Sequence, residues 1–215
     1  MASSKPLVLL TGGNGFVGAH VLDHLLSANY QVRSTVRSLE KAQFIEKKYA
    51  NRKDDSSFII VPDIQAIGAL DEAVKNCHEV HADKGIAGLN TSLLRLLTGV
   101  TGKDPAFGGK VSTFSLPAWV DVRNVADAHV AALSLPEGTS ERFLLCGGVE
   151  NFEDGLAGLR ARGETGLGEE GAEVDRSKHF LLDRTKAEEM LKIDFIPFQQ
   201  TVEDVRARAK ELKLV

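Results

Sequence analysis

Leu7-Val8-Leu9-Leu10 is a short, unbroken apolar run. From Phe16 the pattern changes. Phe16, Val17, Val21, Leu22, Leu25 and Leu26 recur at three- and four-residue spacing, the period of one helical face. Between the two patterns lies Thr11-Gly12-Gly13-Asn14-Gly15. The order predicted is strand, glycine turn, helix. Tyr30 to Val36 alternates and is rich in β-formers, so a second strand is expected there. Ser38 stands where it can cap a helix running from Leu39 to about Tyr49 with a charged, solvated face. Phe58-Ile59-Ile60-Val61 reads as a third strand that ends at Pro62-Asp63-Ile64, and Ala69 to Cys77 as a further helix. The β-α-β-α-β-α alternation predicts an α/β fold with a parallel, right-handed, doubly wound sheet. Near the other end, a capping-box-like pair, Thr201 and Asp204, predicts a last helix from Val202 to Leu212. The glycine- and glutamate-rich stretch from Gly163 to Asp175 reads as a mobile solvated loop.

Composition narrows this only a little. The 215 residues are 43% hydrophobic and 26% charged, an ordinary globular balance with room for one large domain or two small ones. A net charge of −4 gives no pull toward nucleic acid or an anionic membrane surface. The first six residues lack the apolar core of a signal peptide, and no apolar run reaches membrane-spanning length. A cytoplasmic setting with Cys77 and Cys146 as reduced thiols is therefore expected.

Chemistry enters at the glycines. They satisfy G-x-G-x-x-G at 13, 15 and 18 and G-x-x-G-x-x-G at 12, 15 and 18. Between a strand and a helix, such spacing serves a phosphate. Gly12 and Gly13 allow a sharp turn, Gly15 allows a pyrophosphate to approach the main chain, and Gly18 allows close helix–sheet packing. The first helical N–H groups and the helix dipole then face the anion. The plain alternative is a tight structural turn. The end of the second strand bears on which dinucleotide fits. An NAD site usually carries Asp or Glu there for the ribose hydroxyls. Here stand Arg33, Thr35 and Arg37, with Lys41 a helical turn further on. Arg37 and Lys41 suit a 2′-phosphate, so NADP(H) is favoured over NAD(H). The bland reading is a pair of surface cations at a helix entry.

Several stretches together resemble the extended short-chain dehydrogenase/reductases. They are Val8 to Gly18, Thr35-Val36-Arg37, Val61-Pro62-Asp63-Ile64, Trp119 to His129, Glu141 to Gly148, and Asp183 onward. The branch they look like contains dihydroflavonol reductase, methylglyoxal reductase and related NADPH-dependent ketone and aldehyde reductases. The resemblance implies a truncated, dinucleotide-binding Rossmann-type domain over residues 1–88. A smaller, substrate-domain-like α/β segment would fill 89–215. It also implies Gly12, Gly15, Phe16, Val17 and Gly18 at the pyrophosphate, and Arg37 and Lys41 at the 2′-phosphate. Asp63 would accept from the adenine amino group with Ile64 beside the base. The plain alternative for Asp63 is a turn residue.

The sequence departs from that family in the middle. After Cys77-His78-Glu79-Val80-His81 the pattern calls for a fourth apolar strand, a long helix, a strand ending in serine, and a helix carrying Tyr-x-x-x-Lys. Instead the chain runs within a few residues into Leu89-Asn90-Thr91-Ser92, a segment that resembles one lying beyond that helix. Two tyrosines remain, Tyr30 and Tyr49. Tyr49 and Lys53 have the right spacing but fall between the second and third strands, so the match reads as coincidence. No catalytic residue is named. The expected activity is NADP(H)-dependent reduction of a ketone or aldehyde, or oxidation of a CH–OH group, with weak or no turnover. The alternative is a non-catalytic nucleotide-binding or dimerising module. Without its usual neighbour the first strand would expose an edge through which copies could associate, unless Trp119–Val122 or Phe143–Leu145 pairs with it. Cys77, His78 and His81 are too compact for a usual zinc pattern and read as a helix end entering a loop. Asp121, Asp127 and His129 read as structural.

Overall fold

The computed structural model describes residues 5–82, 100–102, 118–169 and 182–215. The chain forms two compact units. One comprises residues 1–87 with 125–140, the other 88–124 with 141–215.

The first unit is built on a parallel sheet. Its strands are β1 (Leu7–Thr11), β2 (Gln31–Val36), β3 (Ser56–Ile60) and β4 (Glu79–Ala82), in the order β3-β2-β1-β4. Helix α1 (Phe16–Ser27) joins β1 to β2, and α2 (Leu39–Lys48) with a single 3-10 turn (Ala50–Arg52) joins β2 to β3. β1 is apolar from Leu7 to Leu10 because it is central, with strands on both sides, and Val8, Leu9 and Leu10 are all fully buried. Val8, Leu10, Val32 and Val36 pack with Val21, Leu22, Leu25 and Leu26 of α1 and with Ala42 and Ile45 of α2. Ala126, Val130 and Leu133 complete that core.

Two expectations are corrected here. β1 does not expose an edge, since β4 pairs with it in parallel from Val8↔Glu79 to Thr11↔Ala82. His78 starts the ladder: its N–H donates to the Leu7 carbonyl, and its Nδ1 accepts from the Leu7 N–H at 3.0 Å. The short Glu-Val-His-Ala strand carries no long apolar run, so its pattern is silent, whereas backbone pairing needs none. The second correction concerns Ala69–Cys77, which forms a succession of turns rather than a helix. Gly68 and Asn76 take left-handed φ values of 75° and 61°. Arg33 Nη1 donates to the carbonyls of Ala73 and Lys75 at 2.9 and 2.7 Å, groups that a continuing helix would use internally.

In the second unit, α4 (Phe152–Ala161) opens with a complete capping box, Asn151 and Asp154 each accepting from the other's N–H. It packs through Phe152, Leu156 and Leu159 against Val100 and against Val202 of α6 (Phe198–Glu211). Between them in sequence lies α5 (Thr185–Leu191). The start of α6 corrects the capping-box expectation. Pro197 is the N-cap, and Thr201 sits inside the helix with its hydroxyl donating to Asp121 Oδ2 at 2.6 Å. Phe143–Leu145 forms no strand and does not pair with β1. Among the described residues of this unit, strand pairing is one antiparallel bridge, Trp119↔Gly148. The expected loop at 163–175 is anchored in its described part. Glu164 pairs with Arg206 at 3.3 Å and Lys210 at 2.6 Å, and Arg206 Nη2 donates to the Thr165 carbonyl at 2.6 Å. Residues 170–175 lie outside the described residues, as do Leu89-Asn90-Thr91-Ser92.

Helix α3 (Val122–Ala132) carries the chain from the second unit into the first. Asp121 precedes it and accepts from the Arg123 N–H at 2.8 Å, the bond of an N-cap.

Candidate functional site

The parallel register brings the C-terminal ends of β1 and β2 together, Thr11 opposite Thr35, and sets Val36 opposite Ile60 of β3. The chain therefore leaves all three strands at one edge of the sheet. From that edge run the glycine turn after β1, Arg37 after β2, and Val61 to Ile64 after β3. In the order 3-2-1-4 the strand sequence reverses between β1 and β4, the switch point beside which open α/β sheets bind ligands.

The turn itself is tight. Gly12 has φ +73°, where a side chain would be strained. Its carbonyl accepts from the Gly15 N–H at 2.8 Å, and its own N–H points at Thr35 Oγ1 at 3.4 Å. A Cβ on Gly18 would lie 2.2 Å from the Gly12 carbonyl oxygen. Helix and turn thus touch, and only glycine fits between them. Gly15 is the N-cap of α1 and supplies no side-chain cap, and no acidic residue occupies the first turn. The leading N–H groups of α1 are left for an external acceptor, with the positive end of the helix dipole behind them. Phe16 is 55% exposed at this end and meets the His20 ring edge-on, with centroids 5.6 Å apart. Val17 is half-buried against the core.

Arg37 and Lys41 are both exposed, and among the described residues neither has an ion-pair partner. Arg33 is not with them, being committed to the carbonyls of residues 73 and 75. Asp63 is exposed, and its Oδ1 accepts from the Gln65 N–H at 2.9 Å. It is thus a turn residue, with Oδ2 outside that bond. Ile64 is exposed beside it.

The Tyr49–Lys53 spacing belongs elsewhere. Tyr49 ends α2, is buried, and donates its hydroxyl to Asp23 Oδ1 at 2.6 Å. Burial, then the Asp23 carboxylate, push its phenol far above the usual range. A proton donor or base near neutral pH needs the opposite shift. Tyr49 and Lys53 line an open cleft with Ser56, at the start of β3 and so at the other edge of the sheet. Cys77 Sγ donates to the Ala73 carbonyl at 3.3 Å, and His78 Nδ1 is taken by Leu7. Asp121 is held by Arg123 through two further bonds of 2.9 and 2.7 Å. Asp127 pairs with His24 at 2.7 Å, and His129 bonds back to the Val125 carbonyl at 2.6 Å. Each is engaged in local structure.

A parallel sheet of order 3-2-1-4, with a glycine turn and an uncapped helix N-terminus at the C-terminal end of its first strand, has the architecture of the first half of a Rossmann-type fold. Residues 8–93 match the model of the NAD dependent epimerase/dehydratase family.

Ketoreductase azaE of Aspergillus niger is 41% identical over 81 residues, 37% of this chain and 24% of that protein. Aldehyde reductase 2 of Sporidiobolus salmonicolor is 33% identical over 116 residues, 52% of this chain and 31% of that protein. The matches thus span about a quarter to a third of these relatives' length. Among solved structures, yeast methylglyoxal/isovaleraldehyde reductase Gre2 complexed with NADPH superposes with a TM-score of 0.73 at 16% identity. That superposition covers 97% of this chain and 100% of that one. At this identity the likeness is one of fold. No helix among the described residues is long and apolar enough to cross a membrane.

Proposed function

We propose that this chain is an oxidoreductase-family protein that binds NADP(H) at the switch point after β1. In this reading residues 1–88 are a truncated dinucleotide-binding domain and 89–215 a substrate-domain-like segment. The supporting observation is the β1–α1 turn, where the glycine contact at 12 and 18 and the uncapped N-terminus of α1 leave a cradle for two phosphates. Gly12, Gly15, Phe16, Val17 and Gly18 would line the pyrophosphate. Arg37 and Lys41, exposed and without ion-pair partners among the described residues, would hold the 2′-phosphate. The free Oδ2 of Asp63 and the exposed Ile64 would meet the adenine.

The nicotinamide, when bound, supplies the hydride for a ketone or aldehyde, the substrate class suggested by the names of the relatives. This chain's own residues bind and orient the adenosine half. Neither tyrosine supplies a proton at the carbonyl oxygen, because Tyr49 is buried on Asp23 at the wrong sheet edge and Tyr30 has Ser34, not lysine, four residues on. Turnover is accordingly weak or absent. NADPH consumption with a panel of ketones and aldehydes, beside equilibrium dialysis of NADPH, tests both parts. Retained NADPH with at most trace consumption is expected. Rapid consumption would refute the catalytic part, and no retained NADPH would refute the binding part.

A further inference from the structure

Ser34 is 0% exposed, and its Oγ has no hydrogen-bond partner among the described residues. It sits on β2 opposite Leu10, one residue before the Thr35 hydroxyl that meets the Gly12 N–H. Its hydroxyl is aimed at the glycine turn: a Cβ built on Gly13 would lie 2.6 Å from Ser34 Oγ and 3.0 Å from Ser34 Cβ. Glycine at 13 is thus what lets this hydroxyl come up under the turn.

A buried hydroxyl without a partner is costly, and native structures rarely keep one without a use. The Gly12 carbonyl is already taken by Gly15, and Gly13 is the turn residue whose backbone lies against Ser34. An anion drawing the turn's N–H groups toward it would reorient the peptides around Gly13. We infer that Ser34 is a positioning residue for the phosphate turn, its hydroxyl unpaired in the free protein and hydrogen-bonded to the turn backbone when a dinucleotide pyrophosphate is bound. The inference rests on the binding reading above.

Ser34→Ala separates this role from simple packing. It removes an unpaired group from the free protein, so the melting midpoint without ligand stays unchanged or rises. It also removes a bond made only in the complex, so NADPH dissociation becomes five- to twentyfold weaker and the NADPH-induced rise in the midpoint shrinks. A structural role would lower the midpoint as well. A lower midpoint without ligand, or unchanged NADPH affinity in Ser34→Ala, overturns the inference while leaving the binding site intact. Absence of NADPH binding by the unaltered protein overturns both. Inorganic pyrophosphate serves as a second probe, and its competition with NADPH should weaken in parallel.

Discussion

Gly18 shows how closely single atoms set the site. Its absent side chain leaves α1 in contact with the Gly12 carbonyl. In Gly18→Ala the added methyl would stand 2.2 Å from that oxygen, so helix and turn must part. Overpacking of this kind costs about 1–3 kcal/mol, offset in part by the better helix propensity of alanine, about 1 kcal/mol. The expected result is a melting midpoint lower by a few degrees, at ~2–4 °C per kcal/mol for a chain of this size, with NADPH binding lost. An unchanged midpoint and unchanged binding would show that the turn tolerates displacement. Other residues act through partners far along the chain and were invisible to local pattern. Buried Asn124 donates to the Asp194 carbonyl at 2.9 Å and accepts from the Ile196 N–H at 2.8 Å, fixing the approach to α6. Arg206, 5% exposed, donates to the Val100 and Thr165 carbonyls. Ser34 belongs with them, since its meaning depends on Gly13 lying over it.

Among the elements, α3 and α6 are coupled through one carboxylate. Asp121, 3% exposed, caps α3, forks onto Arg123 and accepts from Thr201 of α6. Arg123 also pairs with Asp204 at 2.6 Å. Burial alone would raise the Asp121 carboxyl, but the Arg123 and Thr201 hydrogen bonds outweigh it and hold it below its usual range. A group with a depressed folded value contributes stability above its unfolded value, near pH 4, and loses it as pH falls through the folded value. Asp121→Asn should therefore melt lower than the unaltered protein at neutral pH, by about 1–3 kcal/mol for the charged bonds lost. The gap should close as pH falls below about 4. A gap constant with pH would mean that the ionised carboxylate contributes nothing. The same network explains why Thr201 and Asp204 misled the capping-box reading. Both have tertiary partners, Asp121 and Arg123, that a four-residue motif does not contain. For Ala69–Cys77 the competing partner was Arg33.

At the scale of the molecule, β1, α1, β2, α2 and β3 were legible because each repeats its pattern over several residues and packs into one core. The glycine turn was legible because its chemistry is local. β4 was not, since Glu79–Ala82 is too short and mixed in character to show a pattern, whereas its backbone pairing with β1 needs none and closes the edge expected there. The second unit was the least legible. Beside its apolar cluster, its described part is held by Arg206, Asn124, Asp121 and the Asn151–Asp154 box, polar bonds that join residues up to 106 positions apart. The candidate site shares this division. The phosphate turn follows from glycine spacing, and the convergence of Arg37 and Asp63 on its edge follows from the parallel register. Arg33, grouped with Arg37 by sequence, is separated from it because it lies within β2 and its guanidinium is committed to the Ala73 and Lys75 carbonyls, whereas Arg37 follows the end of the strand.

The central claim is that this sheet edge binds a dinucleotide and distinguishes its 2′-phosphate. Calorimetric titration of the unaltered protein with NADPH and with NADH, repeated on Arg37→Ala, tests it most directly. The account predicts saturable NADPH binding, at least tenfold weaker NADH binding, and a loss of about 10- to 100-fold for NADPH alone in Arg37→Ala, the size of one charge-assisted phosphate contact. Equal affinity for the two nucleotides, or no binding by a protein that still melts cooperatively, would contradict it.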